Sequence, residues 1–299
     1  MFNLIVSCSN RKSVTPHPTL QIRNLNKNDL KKSSDLWHKS LNSSTNRIPA
    51  GELYVGEYWS VVRDIAKLGL VRIWIFSAGL GVIPYSEKIP SYGATFSKYS
   101  PDSIRNLESN NENTNENWFK LNLEKKQFGI GFDDLTKMLR NNPVLFAVSR
   151  SYIETIQHIL VNGNNPQMFI LGSNLGDLRM KNIIETPGKL RMTLGGSLQT
   201  VNIRLVEYLL TQTELLEKST TSVAEVSSAV ERLAKNSTQL PKYERSKSTD
   251  LEIEKFIRSR FNKLKKDSHS RALRDFRNTG NACEQSRFKK IFISVMEKR

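Results

Sequence analysis

The sequence predicts an α/β domain, built on a mostly parallel sheet with helices on both faces, followed by a basic three-helix module of helix-turn-helix type. Three observations predict it. Strand-like and helix-like runs alternate through residues 1–216, the order expected of parallel strands joined by crossover helices. Residues 217–250 then turn rich in Ser, Thr and Lys, as a linker would. Residues 251–299 combine helical apolar spacing with charge: 14 Lys or Arg stand against 6 Asp or Glu, which places +8 of the chain's +16 in this last sixth.

The elements follow in order. Phe2–Ser7 is an apolar run entering the polar turn Cys8-Ser9-Asn10, a first strand. Residues 24–47, dense in Asn, Ser and charge, read as a long surface loop or mobile flap, and 106–117 as a second one. Between them Leu53–Leu68 sets Tyr58, Val61, Val62, Ile65 and Leu68 on one helical face, and Val71–Ser77 is a second strand. The strand Val144–Val148, the helix Tyr152–Leu160, the strand Met168–Leu171 and the helix Leu198–Leu210 repeat the pattern. Within the linker one weak helix is expected around Val223–Leu233, ahead of Pro241. In the last module, Leu251–Lys266 spaces Ile253, Ile257, Phe261 and Leu264 helically. A second helix capped by Ser268 runs to Asn278 and stops at Gly280, and a third aligns Phe288, Ile291, Phe292 and Val295. A helix, a glycine turn and a helix fit helix-turn-helix geometry and equally a plain bundle.

Composition narrows the function classes. With 299 residues the chain can bury a large core, and at 38% hydrophobic content the deficit falls in the polar inserts. No apolar run approaches the roughly 20 residues of a membrane span, and the first residues lack a secretory leader, so a cytoplasmic protein with no membrane partner is expected. Two cysteines at opposite ends and four scattered histidines exclude a disulfide framework and argue against a metal site. The +16 charge favours a polyanionic partner, DNA first and RNA not excluded.

In an open parallel sheet, ligands bind beyond the carboxyl ends of the strands. All four strands end in small polar groups: Cys8-Ser9-Asn10, Ser77-Ala78-Gly79, Ser149-Arg150-Ser151 and Gly172-Ser173-Asn174. They predict one shared pocket, with the turns of the first two strands facing it together. Glu52, Tyr54, Tyr85, Tyr92 and Asp177 lie near these turns in sequence, and Gly195-Gly196-Ser197, just before a helix with Gln199 in its first turn, offers free amides for a phosphate. Cys8 has no adjacent base and is a poor nucleophile alone, whereas Asn10 both donates and accepts; Asn10 is therefore expected to matter more.

The segments LIVSCSNRK, ELYVGEYW and IWIFSAGLGVIPYSEKIPSY, within residues 2–92, resemble the N-terminal pattern of a bacterial family carrying CSxxK, an LY-containing helix start and an SAxxGL turn ending in PY. That family looks related to the YaaA-like proteins and is similar in places to domains associated with transglycosylation of deazaguanine bases. By extension it resembles anti-phage DNA glycosylases that remove glucosylated hydroxymethylcytosine. Within the CSxxK pattern Asn10 follows Cys8-Ser9, with Lys12 further on, and this chain departs from the family where SAGLGVI lacks the Lys or Arg common inside the family's turn.

The resemblance implies a hydrolase acting on a nucleobase or N-glycosidic bond of DNA without a redox cofactor; a non-catalytic DNA-binding or stress protein is the alternative. Breaking such a bond develops positive charge on the sugar and negative charge on the base, and the base must first leave the stack. Asn10, Glu52 and Asp177 are the candidates for holding water or the sugar cation. Ser9, Ser77, Ser173, Asn174 and Gln199 would read the base, and Tyr54, Tyr85 and Tyr92 would stack on it. Lys12, Arg150 and the Gly195-Gly196-Ser197 loop are candidates for phosphate. In the last module Arg271, Arg274 and Arg277 recur every third residue as a ridge joined by Lys289 and Lys290.

Overall fold

Strand β1 (Phe2–Ser7) is apolar at nearly every position because it is buried on both sides of the sheet. It belongs to the computed structural model of the chain, which describes residues 1–26, 29–108, 111–161, 165–178, 180–216, 220–240, 244–261 and 268–297. In chain order there follow α1 (Leu30–Ser43), β2 (Ile48–Pro49), α2 (Ala50–Leu53), α3 (Glu57–Leu68), β3 (Val71–Ser77), β4 (Gly81–Pro84), β5 (Lys88–Ile89), α4 (Thr114–Lys125) and α5 (Phe132–Asn141). Then come β6 (Val144–Ala147), α6 (Arg150–Val161), β7 (Met168–Gly172), β8 (Ile183–Glu185), α7 (Arg191–Leu194), α8 (Val201–Gln212) and α9 (Val223–Asn236).

The six-stranded sheet has the order β4-β3-β1-β6-β7-β8, parallel throughout except for β4. The α/β fold with a mostly parallel sheet is therefore as expected. The chain builds β3 on one side of β1 and returns to build β6 on the other, so the order reverses between β1 and β6. Right-handed crossovers then put the helices after β1 and after β6 on opposite faces. Accordingly α3 packs with α8, while α6 packs with α4, which also touches α1 and α5.

Three expectations are corrected. Residues 24–47 hold the helix α1, whose buried stripe is Leu30, Ser33, Ser34, Trp37, His38 and Leu41; half of that stripe is polar, so no apolar period shows. In the second insert α4 begins at Thr114, with Thr114 and Asn115 buried. Residues 27, 28, 109 and 110 of these inserts lie outside the described residues. The long helix expected from Leu53 is two, parted by Gly56 at φ +113°. Such a backbone suits glycine and leaves Glu57 to start α3.

The helix expected within the linker is not a linker element. Ser222 and Glu225 close a capping box, with the Ser222 amide donating to Glu225 Oε2 at 2.8 Å, and α9 buries Val226, Val230 and Ala234 in the first core. The chain divides instead into units Met1–Gln239 and Leu240–Arg299. The second unit contains β9 (Ser246–Lys247), α10 (Asp250–Phe261), α11 (His269–Asn278), β10 (Asn281–Ala282) and α12 (Gln285–Glu297). Its own core joins Ile253, Ile257, Leu273, Phe276, Phe288, Phe292 and Val295. Ser268 caps α11 by accepting from the Arg271 amide, and Gly280, at φ +83°, carries the turn that follows. Leu264 and the side chain of Phe261, expected in that core, lie outside the described residues.

Candidate ligand cleft

Where the sheet order reverses, the chain ends of β1 and β6 diverge into different loops and leave a crevice between them. A cleft of about 620 Å³ occupies it. Its lining comes from Ser7–Asn10 after β1, Ala147–Tyr152 at the start of α6, Gly172, Ser173 and Leu175 after β7, and Leu198, Gln199 and Asn202 ahead of and within α8; Tyr58, Thr95 and Ser97 complete it. The lining holds no Asp or Glu among the described residues. Its polar groups are hydroxyls, amides, one thiol and Arg150, and the N-terminus of α6 opens onto it. A wider hollow of about 690 Å³ lies between α1 and residues 14–20. That hollow is away from the strand ends.

Three of the four expected strand ends thus meet, and the turns of β1 and β3 do not share the pocket. Ser77 is fully buried: its Oγ accepts from the amides of Gly79 (3.2 Å) and Leu80 (3.1 Å) and shares a hydrogen bond of 2.5 Å with the Tyr92 hydroxyl. Tyr92 passes the chain on to Tyr54, hydroxyl to hydroxyl at 2.6 Å, and both rings are buried completely. Tyr54 stacks on Trp59 with centroids 4.6 Å apart, so neither tyrosine faces a ligand in this conformation. Tyr85 packs its ring over the bare Cα of Gly51, where a Cβ would lie 2.1 Å from Cζ. Glu52 is exposed on α2, outside the cleft lining.

Beneath the turn Cys8-Ser9-Asn10 lies a second layer of polar groups. Cys8 Sγ is 3.0 Å from the Tyr152 hydroxyl, and Tyr58 donates to the Ala147 carbonyl while accepting from the Ser7 amide at 3.4 Å. Lys12 donates to the Ser9 carbonyl at 2.7 Å and rests over the rings of Tyr92 (4.4 Å) and Tyr54 (5.3 Å). Its stem keeps some surface but its amine is buried, and burial lowers its pKa to about 8 against the pull of Cys8 and Asp102. Burial likewise raises the hydroxyl pKa values of Tyr54, Tyr58, Tyr92 and Tyr152. Asn10 stands exposed on the rim, as do Ser173 and Gln199, whereas Asn174, also exposed, is outside the cleft lining.

Of the three phosphate positions expected in this unit, Lys12 is turned inward onto the Ser9 carbonyl and outside the cleft lining, and the other two already hold a carboxylate. Arg150 forks onto Asp177 (Nη1–Oδ1 2.9 Å, Nη2–Oδ2 2.6 Å) and gives Nε to Glu154 at 2.7 Å, and these bonds raise its pKa and lower that of Asp177. Gly195 and Gly196 turn at φ +76° and +77°, which aims the Ser197 amide at Glu57 Oε1, 3.2 Å away, where Arg204 also donates at 3.3 Å. Burial would raise the Glu57 pKa, but the Ser197 and Arg204 bonds outweigh it and the net shift is downward. Sequence reasoning missed Glu57, Tyr58, Thr95, Tyr152 and Asn202. In the sequence Tyr58 falls on a helical face with Val61, Val62 and Ile65 and Tyr152 opens a helix, and neither position tells a core tyrosine from one whose hydroxyl reaches a strand end.

In the second unit Arg271 and Arg274 are exposed, whereas Arg277 is half-buried and donates to the Cys283 carbonyl at 2.8 Å. The expected ridge of three is therefore two exposed arginines and one that ties the turn before α12. Lys289 and Lys290 are exposed on α12. Among the described residues no group of three or more His, Cys, Asp or Glu could hold a metal ion, and no helix is long and apolar enough to cross a membrane. A scan against protein-family models, a search of curated proteins and a search of solved structures each return no match.

Proposed function

We propose that the chain is a nucleic-acid-binding enzyme whose cleft takes one nucleotide unit and acts on its base or N-glycosidic bond, a DNA glycosylase in its most specific form. The supporting observation is the cleft at the sheet's reversal point: it is lined by hydroxyls and amides around one thiol, with Arg150 as its one charged side chain among the described residues, and about 620 Å³ is within the range for small-molecule sites. Hydroxyls and amides match the edge of a neutral base, and the α6 N-terminus favours the negative charge that a departing base develops. The basic second unit supplies the polyanion affinity that such a substrate needs, with α11, the Gly280 turn and α12 as the helix-turn-helix candidate.

The test is incubation with unmodified duplex DNA, with DNA carrying glucosylated hydroxymethylcytosine and with RNA, followed by alkaline cleavage at abasic sites of the two DNA substrates and by mass spectrometry of the small molecule released from all three. Base release from any of them supports the reading, and the substrate on which it occurs names the base. A non-catalytic binding protein is the competing reading, favoured by the carboxylates that already occupy Arg150 and the Gly195-Gly196-Ser197 loop. It predicts tight binding with no released base on every substrate.

A further inference from the structure

We propose that Asn202 reads the bound base, presenting its side-chain oxygen to an N–H on the base edge. The inference rests on the reading of the cleft as a nucleotide site and names the atom that recognises the base. Asn202 lines the cleft from the first turn of α8, between Val201 and Ile203, which are buried in the core. The start of that helix is fixed by reciprocal bonds: the Ser197 amide donates to Thr200 Oγ1 at 3.1 Å and the Thr200 amide to the Ser197 carbonyl at 3.0 Å. The backbone that carries Asn202 is therefore held in place before any ligand arrives.

Three side-chain amides line the cleft among the described residues, Asn10, Gln199 and Asn202, and only the last has its two ends assigned. Asn202 gives Nδ2 to the Leu171 carbonyl, 3.0 Å away at the end of β7. A carbonyl only accepts, so the nitrogen end must face the strand. Oδ1 makes no described hydrogen bond and is the end left for a ligand. Asn10 and Gln199 stand exposed at the rim with no described side-chain hydrogen bond, so each can turn either end inward. An amide free to flip accommodates a donor or an acceptor alike; one held by the sheet discriminates between them.

An acceptor of fixed orientation selects a donor. On the pairing edge of a nucleobase the donors are the exocyclic amine of cytosine and adenine, the ring N–H of thymine, and both kinds in guanine. Base pairing occupies them in a duplex, so Asn202 meets them after the base has left the stack. A base without that N–H leaves Oδ1 unpaired in the cleft, and an acceptor stripped of water without a replacement is a source of discrimination. Two substitutions separate reading from support. Asn202→Leu keeps the size of the side chain and removes the acceptor, whereas Asn202→Asp keeps acceptor oxygens; both break the tie to the Leu171 carbonyl.

The experiment titrates full-length protein calorimetrically with each of the four deoxynucleosides and with the analogue of each in which every N–H of the pairing edge is methylated. The parent should bind at least one nucleoside about tenfold or more tighter than its analogue, and the pair that discriminates tells amine from ring N–H. In Asn202→Leu that ratio should fall to about twofold or less, whereas Asn202→Asp should keep it, with melting temperatures checking both folds. Asn202→Ala takes the place of Asn202→Leu if the latter does not fold. A side chain that only supports α8 would weaken a nucleoside and its analogue together and leave the ratio where it was. A ratio unchanged in folded Asn202→Leu, lost equally in Asn202→Asp, or absent from a parent that binds nucleosides overturns the proposal and leaves the nucleotide reading standing. A parent that binds no nucleoside overturns that reading, and the proposal with it.

Discussion

At the scale of residues the cleft is bordered by internal substitutes for a ligand's charge, and their cost and value are measurable. Gly195 and Gly196 share the same positive φ but not the same surroundings: a Cβ on Gly195 meets nothing within 4 Å, whereas one on Gly196 would lie 2.3 Å from Arg204 Nε and 2.4 Å from Glu57 Oε1. Gly195→Ala should therefore cost only backbone strain, about 1–2 kcal/mol, and Gly196→Ala roughly 1 kcal/mol more as Glu57 is pushed off the Ser197 amide. Urea denaturation of both variants checks the difference, and equal midpoints would show that Glu57 yields freely. Lys12 gives a pH signature. Its folded pKa of about 8 lies below the unfolded 10.5, so between these values the unfolded chain binds more protons and stability rises with pH. In a Cys8→Ala background, the difference in stability between the chain with Lys12 and the same chain with Lys12→Met, which cancels the downward pull of the buried tyrosines near pH 10, should shift in favour of Lys12 by on the order of 2 kcal/mol across that window. A difference that does not change with pH would mean that the Lys12 amine is solvated.

At the scale of elements, the part of the fold that sequence made legible is the part where apolar period and burial coincide. The four parallel strands β1, β3, β6 and β7 read as apolar runs because both of their faces are covered, and the turns of three of them converge as expected. The shortest strand of the sheet was not legible: β8, with 3 residues, offers no period to count. Helix α1 failed to show for another reason, since its place is secured by one side chain. Trp37 is fully buried, donates Nε1 to the Gly79 carbonyl at 2.7 Å and meets Tyr92 and Trp118 edge-on at 6.2 and 6.1 Å. Trp37→Ala should cost about 3–5 kcal/mol of stability in urea titration, and Trp37→Phe less, chiefly the orphaned Gly79 carbonyl at about 1–3 kcal/mol. A loss under about 1 kcal/mol in Trp37→Ala would return residues 24–47 to the status of a surface loop. The tyrosines carry the same lesson at the site. Tyr54 and Tyr92 lie near the expected turns in sequence, but they are buried rings of the core whose hydroxyls satisfy Ser77, and spacing along the chain does not distinguish the two fates.

At the scale of the whole molecule, charge is divided between cations that are neutralised internally and cations that are available to a partner. In the second unit Arg258 pairs with Glu254, Arg260 with Asp275 and Arg287 with Asp250. Arg271, Lys289 and Lys290 are exposed and make no ion pair among the described residues, so these three carry the available charge on α11 and α12. Each phosphate neutralised releases condensed counter-ion, which makes log K fall against log salt with a slope near −0.9 per contact on duplex DNA. Replacing Arg271, Lys289 and Lys290 together by Gln should therefore flatten that slope by about 2–3 and weaken binding in similar measure on any sequence. Replacing Arg258 and Arg287 instead should change it less, because each already shares its charge with a carboxylate and its loss frees Glu254 or Asp250 to repel the backbone only at the surface. Fluorescence anisotropy on one duplex across a salt series measures both slopes. An unchanged slope in the triple variant would mean that the second unit is a helical protein-interaction module rather than the nucleic-acid contact, and a partner retained at high salt would then be the expected companion observation.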